Sequence, residues 1–361
     1  MAVAAVMFRH SDVSAFLLRV GWIGVDLFFV LSGFLISGLL FSEYKKRHTI
    51  SLKRFFIRRG LKIYPAFYVF LLLTGVMSYL VFHTHASLAH YLQDVFFIMN
   101  YTHGVWDHTW SLGVEEHFYI FLPILLLVLV RFSSDRRNPF AKIPWVAVAV
   151  RSLCIVFRAI SVDFGTPNIK MAYVASHERM DALFFGVLLG YFYHFRPSVL
   201  EGLMCPRWNC AVIGAFFLFL LSFAYLFPLE EPSNMFATIG YTFIYLGFGG
   251  VLLLSLYVHG ILPRGIGWVA EKIGSAFAFC GVYSYSIYLW HGPMGAWFPG
   301  LMRRAVHFPT SKFGNFAAYF MASFVIGITM SRLIEYPILH LRDRFFPQPQ
   351  VVAVSPEVPE G

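Results

Sequence analysis

VGWIGVDLFFVLSGFLISGLLFSEYKKRHTISLKRFFIRRGLKIYP, running from Val20 to Pro65, decides what kind of protein this is. Its first half, Val20 to Phe41, matches the roughly 20-residue helix that crosses the ~30 Å apolar core of a bilayer. Asp26 is the single ionisable side chain inside it. Its second half, Glu43 to Lys62, gathers Lys45, Lys46, Arg47, Lys53, Arg54, Arg58, Arg59 and Lys62 before the next apolar run begins. Short segments rich in Lys and Arg stay in the cytoplasm. The Val20 span is therefore expected to end there, and the next span to leave it.

Composition points the same way. Of 361 residues, 58% are hydrophobic, 19% aromatic and only 13% charged, with a mean hydropathy of +0.66. A soluble chain needs more polar cover than that, so the expected class is an all-α, polytopic protein of the cell (inner or plasma) membrane. The net charge of +9 sits in segments between apolar runs, where helix orientation and anionic headgroups account for it. No nucleic-acid partner is expected. The four cysteines form no CxxC or other metal spacing.

Outward from the organising stretch, Met1 to Phe8 is apolar and runs into Arg9 and His10. At about 1.5 Å per residue it covers only about half a bilayer, and it reads as the far half of a first helix. Further spans are expected at Tyr64 to His83, His117 to Arg131, Ile143 to Ile160, Met180 to Tyr193, Ala211 to Phe227, Phe236 to His259, Ser275 to Phe298 and Gly314 to Ile334. That makes about ten transmembrane helices, the first one cut short, in a single domain over 1–344. Residues 84–115 hold no Lys or Arg, whereas 131–142 hold four, so connections alternate in charge as the topology requires. The loop 299–313 is the exception, since it is expected outside yet carries Arg303, Arg304 and Lys312. Leu88, Tyr91, Leu92, Val95, Phe96 and Met99 recur at helical spacing and predict a helix lying in the external interface. The Pro-rich tail, 345–361, is expected to be disordered and cytoplasmic.

Ionisable groups in apolar helices are costly and usually face a partner or a water-filled cavity. The candidates are Arg9, His10, Asp26, the string HTWSLGVEEHFYIFLP from His108 to Pro123, RMDALFFG from Arg179 to Gly186, YSYSIYLWHGP from Tyr283 to Pro293, and IEYP from Ile334 to Pro337. His10 fits a general base that activates a hydroxyl, because imidazole exchanges a proton near neutral pH; it equally fits an inert histidine at a membrane boundary. Glu115 and Glu116 lie about 100° apart on a helix, so one can orient a catalytic group while the other faces substrate; the alternative is first-turn carboxylates at a helix capped by Ser111. Arg59 and Lys62 share a helix face, with Arg58 beside them, and suit an anionic phosphate ligand; positive-inside anchoring is the alternative. No compact ligand spacing supports a metal.

Together, GWIGVDLFFVLSGFLIS, ISLKRFFIRRGLKIYPA, WSLGVEEHFYIFLP, RMDALFFGVLLG and YSYSIYLWHGP, in this order, resemble the membrane acyltransferase 3 family, which includes O-antigen and exopolysaccharide O-acetyltransferases. The resemblance runs from Phe8 to Arg344. It implies a membrane enzyme that takes an acyl group, usually acetyl, from acyl-CoA and delivers it to a hydroxyl of a glycan or lipid-linked saccharide. No permanently bound cofactor is implied, and acyl-CoA is the co-substrate. By the same resemblance His10 and Glu115 are catalytic, and Arg58, Arg59 and Lys62 hold acyl-CoA. Asp26, Trp110, Ser111, Glu116, Arg179, Asp181 and His291 are the substrate-binding candidates. Two positions depart from the family. Its first helix carries an Arg eleven positions before the histidine, a position that here lies two residues ahead of Met1, and Arg9 points about 100° away from His10. Lys62 stands where the family usually has Arg, and losing the bidentate fork is expected to weaken acyl-CoA binding. A transporter using the same buried polar groups is the rival reading. It predicts inverted repeats and helices broken in matching halves, neither of which the sequence contains. A structural membrane subunit without activity is a third.

Overall fold

Inside a bilayer a backbone can satisfy its hydrogen bonds only as helices or as a closed barrel. The structure, a computed structural model, describes residues 2–9, 20–163, 173–204, 207–226, 236–257, 264–306 and 311–347, and every regular element among them is helical. In chain order these are α1 (Ala2–Arg9), α2 (Gly24–Arg47), α3 (Leu52–Leu80), α4 (Leu88–Val95), α5 (Trp110–Phe132), α6 (Ile143–Asp163), α7 (Ser176–Phe195), α8 (Pro197–Met204), α9 (Arg207–Leu226), α10 (Tyr241–Tyr257), α11 (Arg264–Val282), α12 (Ser284–Val306), α13 (Lys312–Met330) and α14 (Tyr336–Phe345). Among the described residues six helices are long and apolar enough to cross a membrane by length and composition: those over Gly21–Arg47, Leu52–Leu80, Asp107–Phe132, Ile143–Val162, Ala237–Tyr257 and Lys312–Phe345. Helix α7 is comparably long, but Glu178, Arg179 and Asp181 in its opening turns lower its hydropathy.

The basic block is shared between two helices. Lys45, Lys46 and Arg47 form the last turn of α2, which His48 closes in the left-handed region (φ 54°) with its N–H on the Tyr44 carbonyl. Ser51 then caps α3, accepting from the Arg54 N–H at 3.3 Å. The span expected from Tyr64 therefore begins twelve residues earlier, at Leu52. The reason is that Ser51 supplies a cap and that Lys and Arg are good helix formers. Arg54, Arg58, Arg59 and Lys62 consequently ride on a rigid helix.

Other boundaries differ from expectation: α5 begins at Trp110 rather than His117, α7 at Ser176 rather than Met180, α9 at Arg207 rather than Ala211, and α12 runs on to Val306 rather than ending at Phe298. The span expected over Ser275 to Phe298 is divided at Tyr283 into α11 and α12. The span expected to end at Ile334 runs into a π turn, Ser331–Glu335, ahead of α14. Pro337 cannot donate to the carbonyl four residues back and crowds it, so the preceding turn widens. A helix stands where the interfacial one is expected: α4, with Leu88, Leu92, Val95 and Phe96 exposed and Asp94 buried beneath it.

Helices α2 and α7 pack most extensively, with α6 and α10 against them and α12 paired with α13. The α2–α7 crossing needs glycine. A Cβ on Gly33 would overlap the Leu183 carbonyl oxygen, and one on Gly186 would overlap that of Val30. Small residues let backbones approach closely where lipid supplies no hydrophobic drive between helices. The Lys45 ammonium reaches the His194 carbonyl, the Tyr44 hydroxyl donates to the Arg136 carbonyl at 3.1 Å, and Arg58 pairs with Asp343 at 2.9 Å. These contacts gather one basic end. At the opposite end Trp297 stacks on Phe82 at 4.8 Å and meets Trp106 at 5.3 Å, while Asn100 donates to Ser176 at 2.9 Å.

Candidate active site

A cavity of about 400 Å³ opens at the basic end between α2 and α3. Leu35, Leu39, Leu40 and Phe55 form its apolar wall, and Lys46, Arg54, Arg58, Arg59, Lys62 and Arg342 supply its charge. Glu43 is the one acid in the lining, and it is paired with Arg54. Arg58 is occupied by Asp343 and by the carbonyl of Phe346, both beyond or at the end of α14. Arg59 differs: among the described residues its guanidinium makes no side-chain hydrogen bond, and it lies over the ring of Tyr119 at 4.7 Å from the centroid.

That ring belongs to α5, where the two glutamates also sit. Both are buried, at 5% and 6% exposure. The Tyr119 hydroxyl donates to Glu115 Oε2 at 2.8 Å and takes a hydrogen bond from the Ser32 hydroxyl at 2.7 Å. Glu116, turned to the neighbouring face as adjacent helical residues must be, accepts from the Tyr64 hydroxyl at 3.0 Å. The second oxygen of each carboxylate finds no hydrogen-bond partner among the described residues. Glu335, in the π turn, accepts from Ser286, and the Tyr285 hydroxyl donates to the Ile63 carbonyl at 3.0 Å. The two helices run antiparallel. Arg59 lies seven residues into α3, about 10 Å along its axis, and Tyr119 nine residues into α5, about 14 Å along its own. They meet inside the helix bundle, away from the start of either helix.

The glutamate continues a polar stripe. Ser111, Glu115 and Tyr119 recur every four residues on α5 and so share a face. Ser111 does not cap the helix, contrary to the alternative reading; Thr109 precedes the helix, and the Ser111 hydroxyl donates to Tyr288 at 2.7 Å. Tyr288 donates in turn to the His108 carbonyl. The rings of His108 and His291 stand 4.6 Å apart, with His108 Nε2 on the Leu289 carbonyl at 3.1 Å and His291 Nδ1 on the Tyr288 carbonyl. Trp110 packs between Phe29 and Tyr173, at 6.0 and 4.7 Å. Polar groups thus run from the basic cavity to the opposite end of the bundle along α5 and α12.

Asp26, Arg179 and Asp181 form a second cluster. Arg179 pairs with Asp26 at 2.7 Å and Arg158 with Asp181 at 2.6 Å, all four side chains being 0% exposed. Tyr241 lies between the guanidinium groups, 4.1 Å from Arg179 and 5.5 Å from Arg158. Charge pairing offsets the cost of burial here, and none of the four is among the described residues that line the basic cavity. Arg158 escaped the sequence reading, although the signal was the one that singled out Asp26, an ionisable group within an apolar run. Tyr119 left the four-residue spacing on α5 as a clue; Ser32, Tyr64 and Tyr288 lie on α2, α3 and α12, outside that spacing. Among the described residues no three His, Cys, Asp or Glu side chains gather as metal ligands. His10 lies outside the described residues; α1 ends at Arg9, whose backbone packs against Gly21.

A family model described as an acyltransferase domain matches residues 3–332. Among curated proteins, the peptidoglycan O-acetyltransferase OatA of Listeria monocytogenes is 27% identical over 369 residues, 94% of this chain and 54% of its own length. The O-acetyltransferase OatA of Staphylococcus aureus is 26% identical over 315 residues, 81% of this chain and 49% of its own. A further Staphylococcus aureus protein, provisionally named an O-acetyltransferase, is 28% identical over 294 residues, 75% of this chain and 45% of its own. The chain spans about half the length of these relatives. No solved structure matches it.

Proposed function

The chain belongs to the acyltransferase family whose domain model covers residues 3–332, and from that premise we propose that it is a membrane O-acyltransferase moving an acyl group, acetyl in the simplest case, from acyl-CoA to a hydroxyl of a glycan. The observation that carries this reading is Arg59. It lines the basic cavity and lies over Tyr119, whose hydroxyl holds Glu115. One side chain thus joins a place suited to phosphates to a buried carboxylate.

The chemistry asks for little more. The acceptor hydroxyl attacks the thioester carbonyl, a C–O bond forms, the C–S bond breaks, and the CoA thiolate leaves. The hydroxyl proton passes to a general base, the role we assign to His10. Guanidinium and ammonium donors at Arg59 and Lys62 suit the phosphates and the developing oxyanion. The packed side chains that bury Glu115 and Glu116 suit a site from which water is kept away from the thioester. A glycan acceptor is supported by the peptidoglycan named for the Listeria monocytogenes relative. The basic cavity then faces the cytoplasm, where acyl-CoA is found, with the acceptor meeting the polar stripe from the other side.

The test is transfer itself. Purified protein in vesicles, given radiolabelled acetyl-CoA and peptidoglycan fragments, is expected to release CoA and to label the glycan, with His10→Ala and Glu115→Gln inactive. Passage of a glycan across the vesicle wall without CoA release would overturn the proposal in favour of transport.

A further inference from the structure

Tyr119 has two chemically distinct ends, and each touches a different half of the site. Its ring face carries the Arg59 guanidinium at 4.7 Å, inside the 6 Å within which a cation and a ring attract. Its hydroxyl donates to Glu115 Oε2 at 2.8 Å and accepts from Ser32 at 2.7 Å. The side chain is 5% exposed and locked among Ser32 from α2, Arg59 from α3 and Glu115 from its own helix.

Arg59 is held by that ring and, among the described residues, by no side-chain hydrogen bond. Its five N–H donors are therefore uncommitted at the cavity edge. Arg58 is different, since Asp343 and the Phe346 carbonyl already engage it. An aromatic face fixes a guanidinium in direction without using its donors. The same rigid ring then fixes where the Glu115 carboxylate points, because the para-hydroxyl and the ring face cannot move apart.

We infer that Tyr119 is the positioning residue that couples the acyl-CoA cavity to the carboxylate of Glu115, its ring aligning Arg59 on the donor and its hydroxyl aligning Glu115 for transfer. This rests on the acyl-CoA reading above. The two ends separate by substitution. Tyr119→Phe keeps the ring and deletes the hydroxyl; kcat is expected to fall about ten- to hundredfold, the worth of a hydrogen bond to a charged group, with KM for acetyl-CoA unchanged. Tyr119→Leu deletes both and is expected to raise KM for acetyl-CoA about two- to thirtyfold as well, the range of a cation–π contact.

Direct binding of acetyl-CoA to the reconstituted wild-type chain is measured alongside. No binding by the wild type sinks the acyl-CoA reading itself. Wild-type binding together with Tyr119→Phe at full turnover, or with Tyr119→Phe changing KM as much as kcat, overturns the coupling role alone. Ser32→Ala, which leaves all of Tyr119 in place, covers the case in which the Tyr119 variants do not fold. It is expected to lower kcat about threefold or more at constant KM, and unchanged kcat contradicts the inference.

Discussion

Asp343 holds Arg58 in an ion pair of 2.9 Å, so a carboxylate from the last helix occupies one of the cations that line the basic cavity. Arg342, its neighbour, lines the cavity directly. Asp343 is about half exposed, and an ion pair so placed is worth at most about 1 kcal/mol. An entering phosphate competes with it on favourable terms. Asp343→Asn is expected to tighten acetyl-CoA binding about two- to fivefold, by a dissociation constant measured at low ionic strength. Weaker binding in the variant would show that Asp343 organises the cavity rather than competing for it.

The buried pairs beside Tyr241 predict a stability effect. Asp26→Asn leaves the Arg179 charge buried without its counter-ion, which costs about 3–5 kcal/mol. A large fall in the thermal midpoint in detergent is expected. The double variant Asp26→Leu with Arg179→Met is expected to regain most of it, because replacing both partners removes the charge and the need for it together. A single variant of undiminished stability would exclude a structural role and favour acceptor binding at this cluster.

Asp94 predicts a pH dependence at the opposite end. Burial pushes its carboxyl up from 3.8 to about 6, against hydrogen bonds from the Val105 N–H and Thr109 that lower it. The folded state thus holds the proton more tightly than the unfolded one. The resulting stability is complete below about pH 4 and is lost as pH rises through about 6, at most about 3 kcal/mol over the two units. The thermal midpoint in detergent is expected to rise from pH 7 to pH 5. Asp94→Asn is expected to flatten that change.

Glycine at the α2–α7 crossing predicts a folding defect. Gly33→Ala and Gly186→Ala each place a methyl group against a backbone carbonyl, which cannot swing aside as a side chain does. Both are expected to lose the folded, detergent-stable form. Gly202→Ala, whose Cβ meets nothing within 4 Å, is expected to behave as wild type.

Much of this architecture was legible in the chain. Apolar runs of bilayer length and the alternation of basic with uncharged connections follow from rules that act on single segments. So did the short helix α4, whose Leu88, Leu92 and Val95 repeat at helical spacing. The boundary at Leu52 was missed because a Lys/Arg cluster resembles a loop until the Ser51 cap is weighed. The partners within the site were hidden for another reason. Arg59 meets Tyr119 sixty residues away, and Asp26 meets Arg179 across 153. Composition names the charged members of such pairs but not who faces whom. Tyrosine is the extreme case, since Tyr64 stands among 19 tyrosines in the chain and nothing local distinguishes it.

The most direct test of the account is acetyl-CoA affinity in the reconstituted wild-type chain and in Arg59→Gln. The account predicts saturable binding by the wild type and a loss of about ten- to hundredfold in the variant, as expected for removing charge-assisted hydrogen bonds. Equal affinity in the two proteins would contradict it.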